Sequence, residues 1–234
     1  MNEKGEKMGH IHPITRMIDD ISKIFIDLGF EIALGTEIED EYHNFDALNV
    51  PKDHPARDMQ DTFWLKDTPG KLLRTHTSNT QIRYMENNNV PLKIIAPGKV
   101  YRYEATDSHH EVQFHQIEGL VVGEGINMGH LKFALSSLIQ KLFGKGIEIR
   151  FRPGYFPFVE PGIEIDMKGK DGKWIEVLGA GMVHSNVLNN VGIDSNKYSG
   201  FAFGVGVDRL VMLKYGVDDI RKLYDGDLRL VNQF

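Results

Sequence analysis

The chain has 234 residues, 41% hydrophobic and 26% charged, and its 27 Lys+Arg against 33 Asp+Glu give a formal charge of −6. That length carries a full core as one large domain, and the absence of cysteine excludes disulfides, thiolate metal sites and Cys nucleophiles. No apolar run approaches the roughly 20 residues of a membrane helix, and the acidic balance excludes a general electrostatic grip on nucleic acid, which would have to be held by local patches or by another chain.

The first seven residues lack the apolar core of a signal peptide, and zero cysteine suits a reducing compartment, so the expected location is cytoplasmic. Residues 1–12 are polar and read as a flexible tail. After Pro13, the residues Ile14, Met17, Ile18, Ile21, Ile24, Phe25 and Leu28 recur at helical spacing, and Gly29 ends the helix. Residues 31–34 read as a strand, and 40–60 as a short helix plus a long surface loop. Strand-like sequence resumes at Trp64. Ser78 is placed to cap a helix running to Asn87. Residues 92–103 and 114–122 are β-prone runs around a polar, His-containing loop. Leu131, Ala134, Leu135, Leu138, Ile139 and Leu142 mark a helix closed by Gly144. A strand is expected over 147–151, then stiff, irregular backbone with three prolines over 151–162. Strands over 163–167 and 174–178 flank Lys170-Asp171-Gly172, a hairpin signal. A Gly-spaced apolar strand over 201–207 runs into a short helix. With no repeat or linker, 13–234 reads as one α+β domain with an antiparallel sheet.

Strand side chains alternate, so Arg102 and Glu104 share one face, as do Phe114, Gln116 and Glu118. Paired as a hairpin, these runs gather a guanidinium, an amide and two carboxylates, which are expensive to bury without a ligand or mutual pairing. The plain alternative is a solvent-facing strand pair with cross-strand ion pairs. His110 and His115 are one residue too far apart for a helical zinc pair. Gly204 and Gly206 begin something like a dinucleotide fingerprint, but Arg209 stands where the third glycine belongs. What remains is a strand open to a flat or phosphorylated ligand, followed by an Arg in a first helical turn; the alternative is a core strand with an exposed Arg. Phe156 and Phe158 alternate with prolines and form either a rigid aromatic wall or core. Glu160 is a metal carboxylate or a turn residue. His76 and Gln81 are available to a polar ligand near the helix that Ser78 begins.

Taken together, these segments resemble the catalytic core of class II aminoacyl-tRNA synthetases, and within it the family of bacterial phenylalanyl-tRNA synthetase α subunits. The helix over 13–28 with Gly29-Phe30-Glu31 resembles motif 1. Arg102-Tyr-Glu104, the His loop and Phe114-His-Gln116-Ile-Glu118-Gly119 resemble motif 2, and Gly200-Phe-Ala-Phe-Gly204-Val-Gly206-Val-Asp-Arg209-Leu resembles motif 3. Asp61-Thr-Phe-Trp64-Leu65, His76-Thr-Ser78, Phe151-Arg-Pro-Gly-Tyr-Phe-Pro-Phe158 and Leu178-Gly-Ala-Gly-Met-Val-His184 are the family-specific marks. The resemblance covers about residues 10–234.

The resemblance implies a class II synthetase fold, a six- or seven-stranded antiparallel sheet flanked by helices. It implies two-step chemistry: phenylalanine and ATP give the aminoacyl-adenylate with Mg²⁺ assisting, and the aminoacyl group then passes to tRNA(Phe). On this resemblance Arg102 meets the α-phosphate, Arg209 the ATP tail, and Glu104 and His110 lie near adenine and the phosphates. Phe114, Glu176, Gly204 and Gly206 are further ATP contacts. His76, Ser78, Gln81, Gln116 and Glu118 surround the ammonium and carboxylate of phenylalanine, with Trp64 nearby. Phe156 and Phe158 wall its ring, Ala202 floors it, and Glu160 is a Mg²⁺ ligand. The implied partner is a β subunit in an (αβ)2 assembly, which carries editing and much of the tRNA contact; where β is absent, a homodimer through the helix over 13–28 is expected. The family's N-terminal coiled-coil arm is expected to be absent here. Two other readings stand beside this one: an arm-less paralogue that activates another aromatic amino acid, and a non-catalytic synthetase-like regulatory or binding module. Phe156, Phe158 and Ala202 argue for an aromatic substrate, and intact Arg102, Glu104 and Arg209 against an idle copy.

Overall fold

The computed structural model describes residues 9–57, 61–169 and 172–234. Helix α1 (Pro13–Asp27) follows its apolar spacing: Pro13 sits in the first turn, and Ile14, Met17, Ile21, Ile24 and Phe25 are buried. His12 caps it, its Nδ1 accepting from the Ile14 N–H at 3.3 Å while Nε2 donates to the Leu223 carbonyl at 3.0 Å. His10 Nδ1 likewise reaches the Phe234 carbonyl at 2.8 Å. Residues 10–12 of the expected tail are thus tied to the far end of the chain; residues 1–8 lie outside the described residues. Gly29 leaves the helix at φ +83°.

Seven strands form the main sheet: β1 (Glu31–Ile32), β4 (Leu92–Tyr101), β5 (Gln113–Gly123), β6 (Ile149–Phe156), β7 (Val159–Lys168), β8 (Trp174–Val183) and β9 (Ser199–Gly206). Their spatial order is β1-β4-β5-β9-β8-β7-β6. All neighbours are antiparallel except β1, which runs parallel to β4. Of the expected strand over 31–34, only Glu31 and Ile32 form the ladder with β4. A second, two-stranded sheet pairs β2 (Ile38–Asp40) with β3 (Lys71–Leu73), and Trp64 joins it by one bridge to Leu72. Strands of three residues are too short to show alternation in a sequence.

The segment over 151–162, expected to be irregular, is instead the β6–β7 hairpin. Its prolines sit where a sheet tolerates them: Pro153 on the edge strand β6, and Pro161 at a shift of register between β7 and β8. The expected turn at Lys170-Asp171 lies outside the described residues, but the strands on either side do pair.

Each face of the sheet carries its own apolar cluster. One packs Ile117, Val121, Phe201, Phe203 and Val205 under α1, α3 (Met128–Phe143) and α5 (Val207–Tyr215). The other packs Leu120, Val122 and Ala202 with residues of α2 (Ser78–Asn87), α4 (Ser185–Asn190) and a π-helical turn, Tyr42–Asp46. Phe25 joins helix to sheet, stacked on Phe203 with centroids 5.0 Å apart and edge-on to Phe30 at 5.0 Å. On the other side, Arg83 of α2 grips the buried Glu39 of β2 with two nitrogens. Among the described residues no helix is long and apolar enough to cross a membrane.

Candidate functional site

The second face of the sheet is not filled. Alternation on β5 points Gln116, Glu118 and Leu120 to that side, and pairing sets Glu118 opposite Gly204 and Leu120 opposite Ala202. Gly204 in turn pairs with Gly179 of β8. This flat floor lies under a cavity of about 230 Å³, walled by Ser78, Gln81 and Met85 of α2, by Phe156 and Phe158, and by Val187 of α4. The two phenylalanine rings stack with centroids 6.0 Å apart. Gly179 is required by close approach: a Cβ there would lie 2.6 Å from Phe156 Cζ.

Polar groups cluster around Glu118, which is 5% exposed. Its carboxylate accepts from Ser78 Oγ, from the Thr77 N–H at 3.2 Å and from Gln81 Nε2 at 3.0 Å. Burial pushes its pKa up to about 7, against the Ser78 and Thr77 bonds and the Arg102 and Arg74 charges. Ser78 therefore does not cap α2 as expected: the N-cap is Thr77, which makes no side-chain cap bond, and Ser78 serves Glu118 instead. Burial holds His76 down to about 3, helped by the Arg102 charge and opposed by a hydrogen bond to the Asn44 backbone. The imidazole is neutral at pH 7, and its Nδ1 has no partner; nor has Gln116 Oε1. Two buried acceptors with nothing to accept from, beside a buried carboxylate, suit a ligand that brings N–H donors.

Arg102 borders both this cavity and an adjoining recess lined by Asp61, Thr75, His76, Tyr103 and Glu104. Its Nε donates to the Thr75 carbonyl at 3.2 Å, and its guanidinium lies 5.0 Å over the Phe114 ring. The residue is exposed, yet protein crowds it on several sides, as a concave wall requires; that desolvation lowers its pKa, while Glu104, Glu118 and Asp61 pull the other way. A cation at the junction of an apolar cavity and an open recess can bridge two anionic groups, one from each.

The structure thus brings together on one cavity His76, Ser78, Gln81, Arg102, Gln116, Glu118, Phe156, Phe158, Ala202 and Gly204. Arg102 and Glu104 both lie past the end of β4; Arg102 still borders the cavity with Gln116 and Glu118, whereas Glu104 lines only the recess. Trp64 does not line the cavity; it packs on Phe45, with centroids 6.3 Å apart. His110 is exposed on its loop and meets Asp107 at 3.0 Å. Gly206 is the N-cap of α5. Arg209, exposed, donates from Nε to the Glu176 carbonyl at 2.9 Å, so these two form a separate pair beyond the cavity. Sequence reasoning missed Leu48, Met85, Gly179 and Val187, which also line the cavity. Ordinary apolar and small residues carry no local sign of a ligand; only Gly179, inside a Gly-Ala-Gly run, offered a hint.

Of the candidate metal ligands, Glu160 is exposed and meets His184 Nε2 at 3.3 Å. Glu164 and Glu176 approach Arg152 Nη2 at 2.7 and 3.5 Å, and the buried Asp166 is bound by Arg150 and Arg152. Among the described residues the one compact trio of metal-capable side chains is Glu39, Asp40 and His43, which Arg83 and Lys71 already neutralise. No preformed cage exists there for a metal held by protein alone. A hard cation brought with phosphates needs only one or two carboxylates from the protein, and the carboxylates of Glu160 and Glu176 are both exposed, beside His184 and Arg152 respectively.

Residues 1–234 match the family described as the tRNA synthetases class II core domain (F). The chain is 53% identical over 234 residues to the phenylalanine--tRNA ligase alpha subunit of Ehrlichia ruminantium (strain Gardel), covering 98% of this chain and 68% of that protein. It is 56% identical over 226 residues to the protein of that name from Klebsiella pneumoniae (97% and 68% covered), and 52% over 244 residues to that of Dehalococcoides mccartyi (97% and 70%). The fold is similar to that of the pyrrolysyl-tRNA synthetase from Desulfitobacterium hafniense, with a TM-score of 0.71 at 17% identity over 91% of this chain and 73% of that one.

Proposed function

The chain belongs to the class II core family of tRNA synthetases, and from that premise we propose that it is the catalytic part of an α subunit that activates L-phenylalanine with ATP and passes the phenylalanyl group to tRNA(Phe). One observation carries the choice of substrate: an aromatic-walled cavity in which buried Glu118 and the unpaired acceptors of His76 and Gln116 face an apolar slot. An α-amino acid with an aromatic side chain presents the complement, an ammonium for the acceptors and a ring for Phe156 and Phe158.

Activation joins two anions. A carboxylate oxygen of phenylalanine attacks the α-phosphorus, a new O–P bond forms, and the bond to the β-phosphate breaks with its electron pair leaving on pyrophosphate. No proton moves, so the protein contributes position and charge. Arg102, between cavity and recess, offsets the charge where carboxylate and α-phosphate meet. Phe114 supports Arg102 from below and offers a ring to adenine, with Glu104 and His110 alongside. Gly204 keeps the floor low, and Gly206 ends the strand that leads to Arg209, which takes the ATP tail. Mg²⁺ bound with ATP, held through Glu176, would supply further neutralisation of the phosphates. In the second step a terminal hydroxyl of tRNA attacks the activated carbonyl, its proton passes to the phosphate oxygen that departs, and AMP leaves. The relatives' name supports a β-subunit partner in an (αβ)2 assembly; a homodimer is the form proposed when β is absent, and the cytoplasm is the proposed location.

Amino-acid-dependent ATP–pyrophosphate exchange, run with and without a β partner, tests the reading. Exchange that needs phenylalanine, and that Arg102→Ala abolishes, is the expected result. Exchange with a different aromatic amino acid alone would favour the paralogue reading, and none with any amino acid the non-catalytic module. Near-native exchange by Arg102→Ala would remove that residue from its role.

A further inference from the structure

Phe156 ends β6 and Phe158 immediately precedes β7, so the turn between them, at Pro157, sets where both rings of the cavity wall lie. Asn49 holds that turn. Its Nδ2 donates to the Pro157 carbonyl at 2.7 Å, and its Oδ1 accepts from Asn186 Nδ2 at 2.9 Å. Asn49 is also the one non-glycine residue with positive φ (+60°) among the described residues, a left-handed conformation that asparagine tolerates better than most side chains. The backbone is thus turned out of its ordinary region at the residue that reaches the wall.

Both anchors of the clamp adjoin the cavity: Leu48 precedes Asn49 and Val187 follows Asn186, and each lines it. The Phe158 carbonyl accepts from the His184 N–H at 2.9 Å, fixing the other side of the turn. The Asn49–Pro157 and Asn186–Asn49 bonds lie outside every strand ladder and join positions over 100 residues apart. We propose that Asn49, supported by Asn186, is a positioning residue for amino-acid selection: it sets the distance of the Phe156–Phe158 wall from the floor at Ala202. This rests on the reading of the cavity as the phenylalanine site.

Three variants separate the amide from the backbone. Asn49→Gly accepts the left-handed conformation but removes the clamp. Asn49→Asp keeps size and the acceptor for Asn186 but sets a carboxylate oxygen against the Pro157 carbonyl. Asn186→Ala removes only the support. Phenylalanine-dependent exchange by the wild-type chain, in the assembly in which it is active, is the control that carries the functional reading. The KM for phenylalanine is expected to rise about 3- to 10-fold in Asn49→Gly and Asn49→Asp, the span that loss of one hydrogen bond represents. The KM for ATP should stay within about twofold, and the kcat/KM preference for phenylalanine over tyrosine should fall. Asn186→Ala should move the same way by less, and it decides the matter if circular dichroism shows the Asn49 variants unfolded. An unchanged KM for phenylalanine, or an equal rise for phenylalanine and ATP, would overturn the clamp while leaving the substrate assignment in place.

Discussion

With its pKa raised to about 7, Glu118 ionises inside the working pH range, so protons compete with a ligand ammonium for the same carboxylate. Below about pH 7 the site loses its negative charge, and the KM for phenylalanine should rise by up to about tenfold per pH unit; Glu118→Gln should flatten that dependence in exchange assays. The same shift has a signed effect on folding. A carboxyl whose folded pKa lies above its ordinary 4.5 binds more protons folded than unfolded across the window from 4.5 to about 7. Its contribution therefore falls as pH rises through that window. His76, lowered from 6.5 to about 3, acts oppositely: the folded state binds fewer protons there, and its contribution is lost as pH falls through that range. The ligand-free Glu118→Gln variant should lose the opposing Glu118 slope while keeping that of His76, so its Tm should gain more than that of the wild type between pH 5 and 7, as thermal melts at the two values would show. At this scale the residue types were legible: a Glu, a Gln and an Arg at alternating strand positions announced a polar face. The conversion of Ser78 from helix cap to carboxylate donor was not, because Glu118 is 40 residues away.

Helix α1 reaches the site through one ring at the scale of whole elements. Phe25 is fully buried and stacks on Phe203, which sits between Ala202 and Gly204 on β9. Phe25→Ala should cost about 3–5 kcal/mol, the range for emptying a large aromatic position in a core, read as a lower midpoint in urea at an unchanged slope. Denaturation indistinguishable from wild type would mean that the helix does not support the sheet from beneath. Elements with several turns or many alternations, such as α1, α3 and β5, were legible because their pattern repeats. The β6–β7 hairpin was not, because its prolines argue against a strand unless the strand is known to lie at an edge, and edge position belongs to the sheet order.

For the molecule as a whole, the two apolar clusters divide the work: one closes the fold and the other leaves room for the cavity. The apolar stripe of α1 is spent inside the chain, so a homodimer through that helix has to use what α1, β1 and the residues just after β1 leave outside: Ile26, Ile32 and Leu34, which are 50%, 46% and 81% exposed. Sedimentation of the isolated chain at micromolar concentration should show a dimer, and Leu34→Glu should shift it toward monomer; a wild-type monomer would count against that contact. What the sequence by itself determined is the α+β class, the longer helices and strands, the polar alternation around Arg102 and Glu118, and the aromatic segment at Phe156, because spacing and alternation are local properties of the chain. Folding alone decided that these segments share one cavity, that Arg209 and Trp64 stand apart from it, and that Asn49 holds Pro157. Those are meetings of residues far apart in sequence, and they depend on strand order and register, which no local pattern carries.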